Sequence, residues 1–231
     1  MSYLSPDQWQ ALLLSLKVAG VATLVAVPVG MALAWWLARK RFVLKPLVEA
    51  LLFLPLILPP VVTGYALLLA FGNNSVLGQY LTALGVPLAF RWTGAALAAL
   101  VMGLPLLVIS LRNAFEQVDP RLEQAAATLG ARPWQIFVRV SLPLSVRGLV
   151  AGCVLTFARA FGEFGATISF VSAIPGQSRT LPVAIYELIN QPGGEAGALR
   201  LVWVSVAVAL IATLLTALLL RKPREAGLRA T

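Results

Sequence analysis

Five stretches of this chain are each long and apolar enough to cross a membrane as a helix: approximately Trp9 to Ala38, Leu47 to Phe71, Trp92 to Leu111, Leu144 to Val171 and Leu199 to Leu220. Crossing the hydrocarbon layer of about 30 Å takes roughly 20 residues in a helix, which satisfies its own backbone hydrogen bonds where water cannot. Soluble domains carry about a quarter charged residues, whereas this chain carries 12% against 59% hydrophobic residues. The expectation is an all-α integral membrane protein, a single polytopic bundle over residues 1–231 with about five transmembrane helices. A sixth is possible if the fourth run hides a break. The first and fourth runs exceed the minimum, which implies tilt, kinks or projecting ends.

Prolines interrupt three of these runs: Pro28 in the first, Pro55, Pro59 and Pro60 in the second, and Pro105 in the third. Proline removes a helical hydrogen bond and bends the helix, which suits a hinge and equally a static kink. The stretch Pro59-Pro60-Val61-Val62-Thr63-Gly64 is the best gate candidate, because Thr63 and Gly64 add small, polar surface at a helix interface. Two charges lie within the fourth run. Arg159 and Glu163, four residues apart, share a helix face and can pair. Two readings stay open for them, an ion pair that fixes packing and an arginine beside an anion path. Lys17, near the start of the first run, reads as a side chain that snorkels to the interface, with a place along the path as the other reading.

The net charge of +9 would point to nucleic acid in a soluble protein. Here the basic residues sit in short loops, where they set orientation and meet lipid head groups, so the bilayer is the partner and nucleic acid is not. Arg39, Lys40, Arg41 and Lys45 follow the first run; Arg112, Arg121, Arg132, Arg139 and Arg147 lie between the third and fourth; Arg221, Lys222, Arg224 and Arg229 follow the fifth. These are thirteen of the eighteen lysines and arginines. The positive-inside rule puts them in the cytoplasm and the amino terminus outside. The amino end lacks the basic region and cleavage site of a secretory signal, so the first run reads as a retained span. The tail, 221–231, reads as a short basic anchor at the lipid surface.

Chemistry is sparse. There is no histidine, the acids are scattered and Cys153 is the single cysteine, which leaves no metal-ligand set and no intramolecular disulfide. The phosphate-cradling pattern of Gly, four residues, Gly-Lys-Ser/Thr is missing. The chain reads as non-catalytic, with no cofactor of its own. On the outer side, Gly72 to Arg91 mixes turn residues with a short amphipathic piece, and Ala173 to Ala198 holds Ile174-Pro175-Gly176 and a short helix, Leu181 to Gln191.

The informative exception is a polar segment, Leu122 to Pro143, within a cytoplasmic loop at about 116–143. Asp119 caps a helix that has Pro120 in its first turn and runs from Arg121 to Leu129. Gly130 ends it, since glycine takes the left-handed turn that stops a helix. A second short helix starts at Pro133 and continues through Val138, and Leu142-Pro143 opens the next span. Two short helices at an angle, with Ala125, Ala126 and Ala127 on one of them, make a knob that another protein can approach closely. An ordinary structured loop is the other reading.

This segment resembles the EAA motif of the permeases of ATP-binding-cassette importers, in which Glu-Ala-Ala, three residues, Gly, nine residues and Ile-x-Leu-Pro form the helices that dock on an ATPase. Ala125-Ala126, Gly130 and Leu142-Pro143 fall at that spacing, with Val140 at the isoleucine position. Gln124 stands where the motif has glutamate, and Glu123 comes one residue earlier. The run from Leu122 to Ala126, Ala158 to Ala166, Leu58 to Gly64 and Pro192 to Glu195 are further similar to molybdate permease subunits, over about Trp9 to Leu220. Sulfate and tungstate permeases are close relatives that commonly carry an additional amino-terminal span, so molybdate is the expectation.

The resemblance implies a type I importer permease fold in the inner membrane of a prokaryote, two copies forming the path, two cytoplasmic ATP-binding subunits that hold ATP and Mg, and an external molybdate-binding protein. It implies ATPase coupling through Glu123, Gln124, Ala125, Ala126, Gly130, Trp134, Leu142 and Pro143. The path or gate set expected alongside is Pro59, Pro60, Thr63, Gly64, Arg159 and Glu163. Sulfate, tungstate or another oxyanion is the alternative within transport. A membrane scaffold that passes no solute is the alternative outside it, and a membrane-embedded enzyme is disfavoured by the missing histidines and acid pairs.

Overall fold

The computed structural model describes residues 4–219. The basic tail at 221–231 lies outside the described residues, as does the last position of the fifth run. Every regular element among the described residues is helical.

Helix α1, Pro6–Arg39, is 34 residues long. Ser5 caps it: its hydroxyl accepts from the Gln8 amide while Gln8 Oε1 accepts from the Ser5 amide. The reciprocal pair meets two of the amides that a helix start leaves unbonded, and Pro6 needs none. Ala11, Ser15, Val18, Ala22, Ala26, Gly30, Ala34 and Leu37 form its buried stripe. Spacings of three and four residues put these on one face, and their small size allows close helix approach.

Helices α2, Lys45–Ile57, and α3, Pro60–Phe71, replace the expected second span. They meet at 112° across Leu58-Pro59, so this run is broken rather than bent. The consecutive prolines explain the site, since the residue before each is pushed out of helical backbone and neither ring nitrogen can donate. Helix α4, Val76–Ala83, is the expected amphipathic piece between runs. Helix α5, Trp92–Glu116, is continuous and the most enclosed, burying Ala95, Ala98, Ala99, Met102, Leu107 and Leu111 among others. The expected interruptions at Pro28, Pro55 and Pro105 are corrected: each of these prolines lies inside an unbroken helix. Neighbouring turns and helices keep the segment helical when one backbone bond is lost in a packed bundle.

The polar segment folds as α6, Pro120–Thr128, and α7, Pro133–Ile136. A π-helical turn at Phe137–Ser141 then leads into α8, Leu142–Leu144. The expected fourth span breaks twice. Helix α9, Val146–Phe161, lies at 73° to the Pro133–Leu144 segment and ends at Gly162, and α10, Gly165–Val171, follows. Helix α11, Leu181–Ile189, is two residues shorter than expected, and α12, Glu195–Leu219, is the fifth span.

The core is α1 packed along α5 with α9 beside both. Thr156 on α9 donates to the Gly103 carbonyl, and Ser110 on α5 donates to the Gly148 carbonyl, so hydroxyls as well as methyl groups hold these helices. At the end opposite α6, Ser15 Oγ accepts from the Leu181 amide at 2.6 Å and Gln8 donates to the Gly197 carbonyl. Lys17 stacks over Trp92, its Nζ 3.7 Å from the ring centroid. Helix α12 is anchored by Ala198 and Leu201, while Trp203, Leu210, Ile211, Leu214 and Leu218 stand exposed. An apolar helix exposed along most of its length suits a bilayer and not water.

Candidate functional site: a docking knob and two crossed broken helices

The knob is built from α6 and α7. Asp119 Oδ1 accepts from the Arg121 amide at 2.9 Å, which caps α6 as the sequence predicts. At the other end the Gly130 amide bonds the Ala127 carbonyl and the Ala131 amide bonds the Ala126 carbonyl. With Gly130 at φ +82°, this is a Schellman closure, which consumes the last carbonyls and turns the chain back. Leu129, 87% exposed, projects beside the turn, and Trp134 is 59% exposed. A cleft of about 410 Å³ between the helices is lined by Ala126, Leu129, Gly130, Ala131, Gln135, Ile136, Arg139 and Val140. Gln124, Ala125 and Pro143 are exposed; Ala126 and Leu142 are half-buried.

Glu123 and Gln124 point to different places. Adjacent helical residues diverge by about 100°, and while Gln124 faces out, Glu123 Oε1 accepts from Arg39 Nη2 at 2.6 Å, Arg39 Nε at 3.2 Å and Ser141 Oγ at 2.7 Å. Sequence reasoning missed both partners. In the sequence Arg39 reads only as an orienting charge and Ser141 gives no signal, because the pairings span 84 and 18 residues. A second link joins α2 to α5, with Arg112 Nη1 2.9 Å from Glu49 Oε1 and Nε 2.8 Å from Glu116. Phe137 tucks beneath the bundle, edge-on to Trp35 at 5.6 Å and against Phe115 at 5.9 Å.

The second group of expected residues converges where the two broken runs cross. A Cβ placed on Gly64 would lie 2.5 Å from the Ala166 carbonyl oxygen, and one on Gly165 would lie 2.7 Å from Pro60 Cβ. Helix α3 therefore rests on α10 nearly backbone to backbone. Thr63 is buried there, its hydroxyl without a hydrogen-bond partner among the described residues. Pro59 occupies the elbow and Pro60 the first position of α3. Glu163 is 2% exposed; its Oε1 accepts from the Ala166 amide at 2.8 Å and its Oε2 accepts from Arg159 Nη1. The expected pairing is present, but not on one helix face: α9 ends at Phe161, so Glu163 sits in the break and caps α10. One carboxylate thus meets a cation and a helix start together. Among the described residues no cluster of three metal-ligating side chains occurs.

Three comparisons place this architecture. The fold matches a chain in the crystal structure of a bacterial alginate ABC transporter in complex with an alginate pentasaccharide-bound periplasmic protein, with TM-score 0.74 over 94% of this chain and 79% of that one at 18% identity. It also matches a methionine ABC transporter in inward-facing conformations, with TM-score 0.65 over 92% of each chain at 17% identity. Residues 26–224 match the family of binding-protein-dependent transport system inner membrane components, and the chain belongs to that family. It is a multi-pass inner-membrane permease with the fold of ABC importer permeases. The chain is 51% identical to the molybdenum transport system permease protein ModB of Escherichia coli K12 over 96% of its length and 97% of that protein. It is 47% identical to the protein of the same name from Haemophilus influenzae, over 89% and 90%. A third, from Mycobacterium tuberculosis, is 45% identical over 90% of this chain and 78% of that one.

Proposed function

We propose that this chain is the membrane permease subunit of an ATP-driven molybdate importer. The observation that carries the reading is the 51% identity to a molybdenum permease along nearly the whole of both chains. The exposed knob supports it, because Ala126, Gly130 and Val140 of the EAA spacing line one cleft at its surface.

Two copies of the chain enclose the path, and each engages one cytoplasmic ATP-binding subunit through Gln124, Ala125, Ala126, Gly130, Trp134, Leu142 and Pro143, with Glu123 behind them. ATP and Mg belong to those partners. The amino terminus lies outside and the knob in the cytoplasm, on the positive-inside count. An external molybdate-binding protein delivers the anion to the outer loops. Pro59, Pro60, Thr63, Gly64, Arg159 and Glu163 form the gate, since two broken helices in contact can separate or close by small rigid movements.

Uptake of labelled molybdate and sulfate in cells lacking only this subunit tests the reading. Loss of molybdate uptake alone, restored by returning the gene, is the expected result. Loss of sulfate uptake with molybdate intact overturns the substrate, and no change in either overturns the transport role in favour of a scaffold.

A further inference from the structure

We propose that Glu123 is a positioning residue that clasps the docking knob to the transmembrane bundle through Arg39 and Ser141, so that movement of the knob becomes movement of the spans. The proposal rests on the reading that α6 docks an ATPase subunit.

Helix α6 has no buried residue of its own. It is strung between the three-residue connection Gln117-Val118-Asp119 and the turn at Gly130. A force applied to its outer face would tilt it on those ends unless something on its inner face resisted. The Glu123 carboxylate does so, with one oxygen receiving three N–H or O–H donors from two other elements.

Both elements lead into the bundle. Arg39 is the last residue of α1, whose far end is tied by Ser15 and Gln8 to the residues opening α11 and α12. Ser141, completely buried, closes the π-helical turn at the root of α8 and α9. The clasp therefore joins the knob to the first span and to the fourth. The Glu123 and Arg39 side chains are only 19% and 18% exposed, so water screens the pair less than it screens a surface ion pair. Charge-assisted bonds of this kind are shorter and stronger than neutral ones.

The displaced carboxylate thereby acquires a role. At the motif's glutamate position a carboxylate would face outward with Gln124; one residue earlier it faces inward and is spent on the permease itself. Outward contact falls to the amide of Gln124 and the small and apolar residues around it.

The test uses the whole importer in liposomes and reads molybdate moved per ATP hydrolysed. Glu123→Ala is expected to lower that ratio about tenfold, within the usual range of coupling energies between sites, while the ATPase subunit still co-purifies. Glu123→Gln keeps an acceptor oxygen and should retain most of the ratio. Glu123→Arg should lose it, and Arg39→Glu with Glu123→Arg should recover part. A ratio in Glu123→Ala within about twofold of the unsubstituted complex, on that same scale, overturns the clasp. If Glu123→Ala does not assemble, Ser141→Ala carries the test, since it removes one donor and leaves the ion pair: a lowered ratio supports the clasp and an unchanged one overturns it. Failure of the unsubstituted chain to hold an ATPase subunit would instead overturn the docking reading.

Discussion

Gly64 and Ala166 meet backbone to backbone, with the Ala166 carbonyl oxygen 2.5 Å and its Cα 2.8 Å from where a Gly64 Cβ would stand. The obstacle is main chain and cannot turn aside as a flexible side chain would. Gly64→Ala should push α3 off α10, at a cost of about 1–3 kcal/mol for overpacking. Thermal unfolding of the purified permease checks this against Gly20→Ala, where a Cβ meets nothing within 4 Å. A lower midpoint for Gly64→Ala alone is expected, with uptake reduced in parallel. Equal midpoints would mean the crossing has slack.

At the same crossing, Glu163 is shared between Arg159 and the Ala166 amide. Removing one member of a fully buried pair strands the other at a cost of about 3–5 kcal/mol, and the 28% exposure of Arg159 lowers that cost here. Glu163→Ala should still destabilise, because it also takes the acceptor from the Ala166 amide. Glu163→Gln, which still offers an oxygen to Ala166, should destabilise less. Arg159→Met combined with Glu163→Gln should cost less than the two single effects added, because the stranded charge has gone with its partner. Denaturation midpoints of these variants, of Arg159→Met alone and of the unsubstituted protein decide it, and simple additivity would show that the pair contributes nothing as a pair.

How much of this was legible in the sequence depended on range. The apolar runs, the cap at Asp119, the stop at Gly130 and the pairing of Arg159 with Glu163 all follow from residues within a few positions of one another. The break at Leu58-Pro59 was half legible: consecutive prolines announce an interruption, but the 112° turn is set by how α3 lies on α10. Pro28 and Pro105 stand alone and break nothing, since α1 and α5 run on through them. The site residues show the same division. Spacing identified the knob, whereas the inward turn of Glu123 depends on Arg39, 84 positions away, and no pattern in the sequence joins them.

Gly130 offers a cleaner separation of docking from folding. Its φ of +82° disfavours any side chain, yet a Cβ there would meet nothing within 4 Å. Gly130→Val should thus cost only the local conformational penalty, about 1–2 kcal/mol, and should reshape the turn rather than the bundle. The expected outcome is normal membrane insertion with weaker retention of the ATPase subunit on co-purification. Gly130→Asn, which tolerates the left-handed region, should fall between. Undiminished retention in Gly130→Val would remove the turn from the docking surface.

Ser172 closes α10 with φ +61° and ψ −162°, backbone that glycine adopts easily and serine does not. The structure holds it there from outside: Ser178 Oγ donates toward the Val171 carbonyl at 3.0 Å and the Ser172 carbonyl at 3.2 Å, and accepts from the Ile174 amide at 3.1 Å. The Ser172 side chain is exposed, and the bonds that secure the turn run through its carbonyl and its neighbours. Ser172→Gly should therefore relieve about 1 kcal/mol of strain without removing a bond. For a domain of this size that corresponds to roughly 2–4 °C in Tm. Ser178→Ala should have the opposite sign, because it frees the strained residue while leaving two carbonyls and one amide short of a partner. Thermal midpoints measured in the same detergent test both directions. A fall in Tm for Ser172→Gly would show that the flexibility glycine adds to the unfolded chain outweighs the strain it removes.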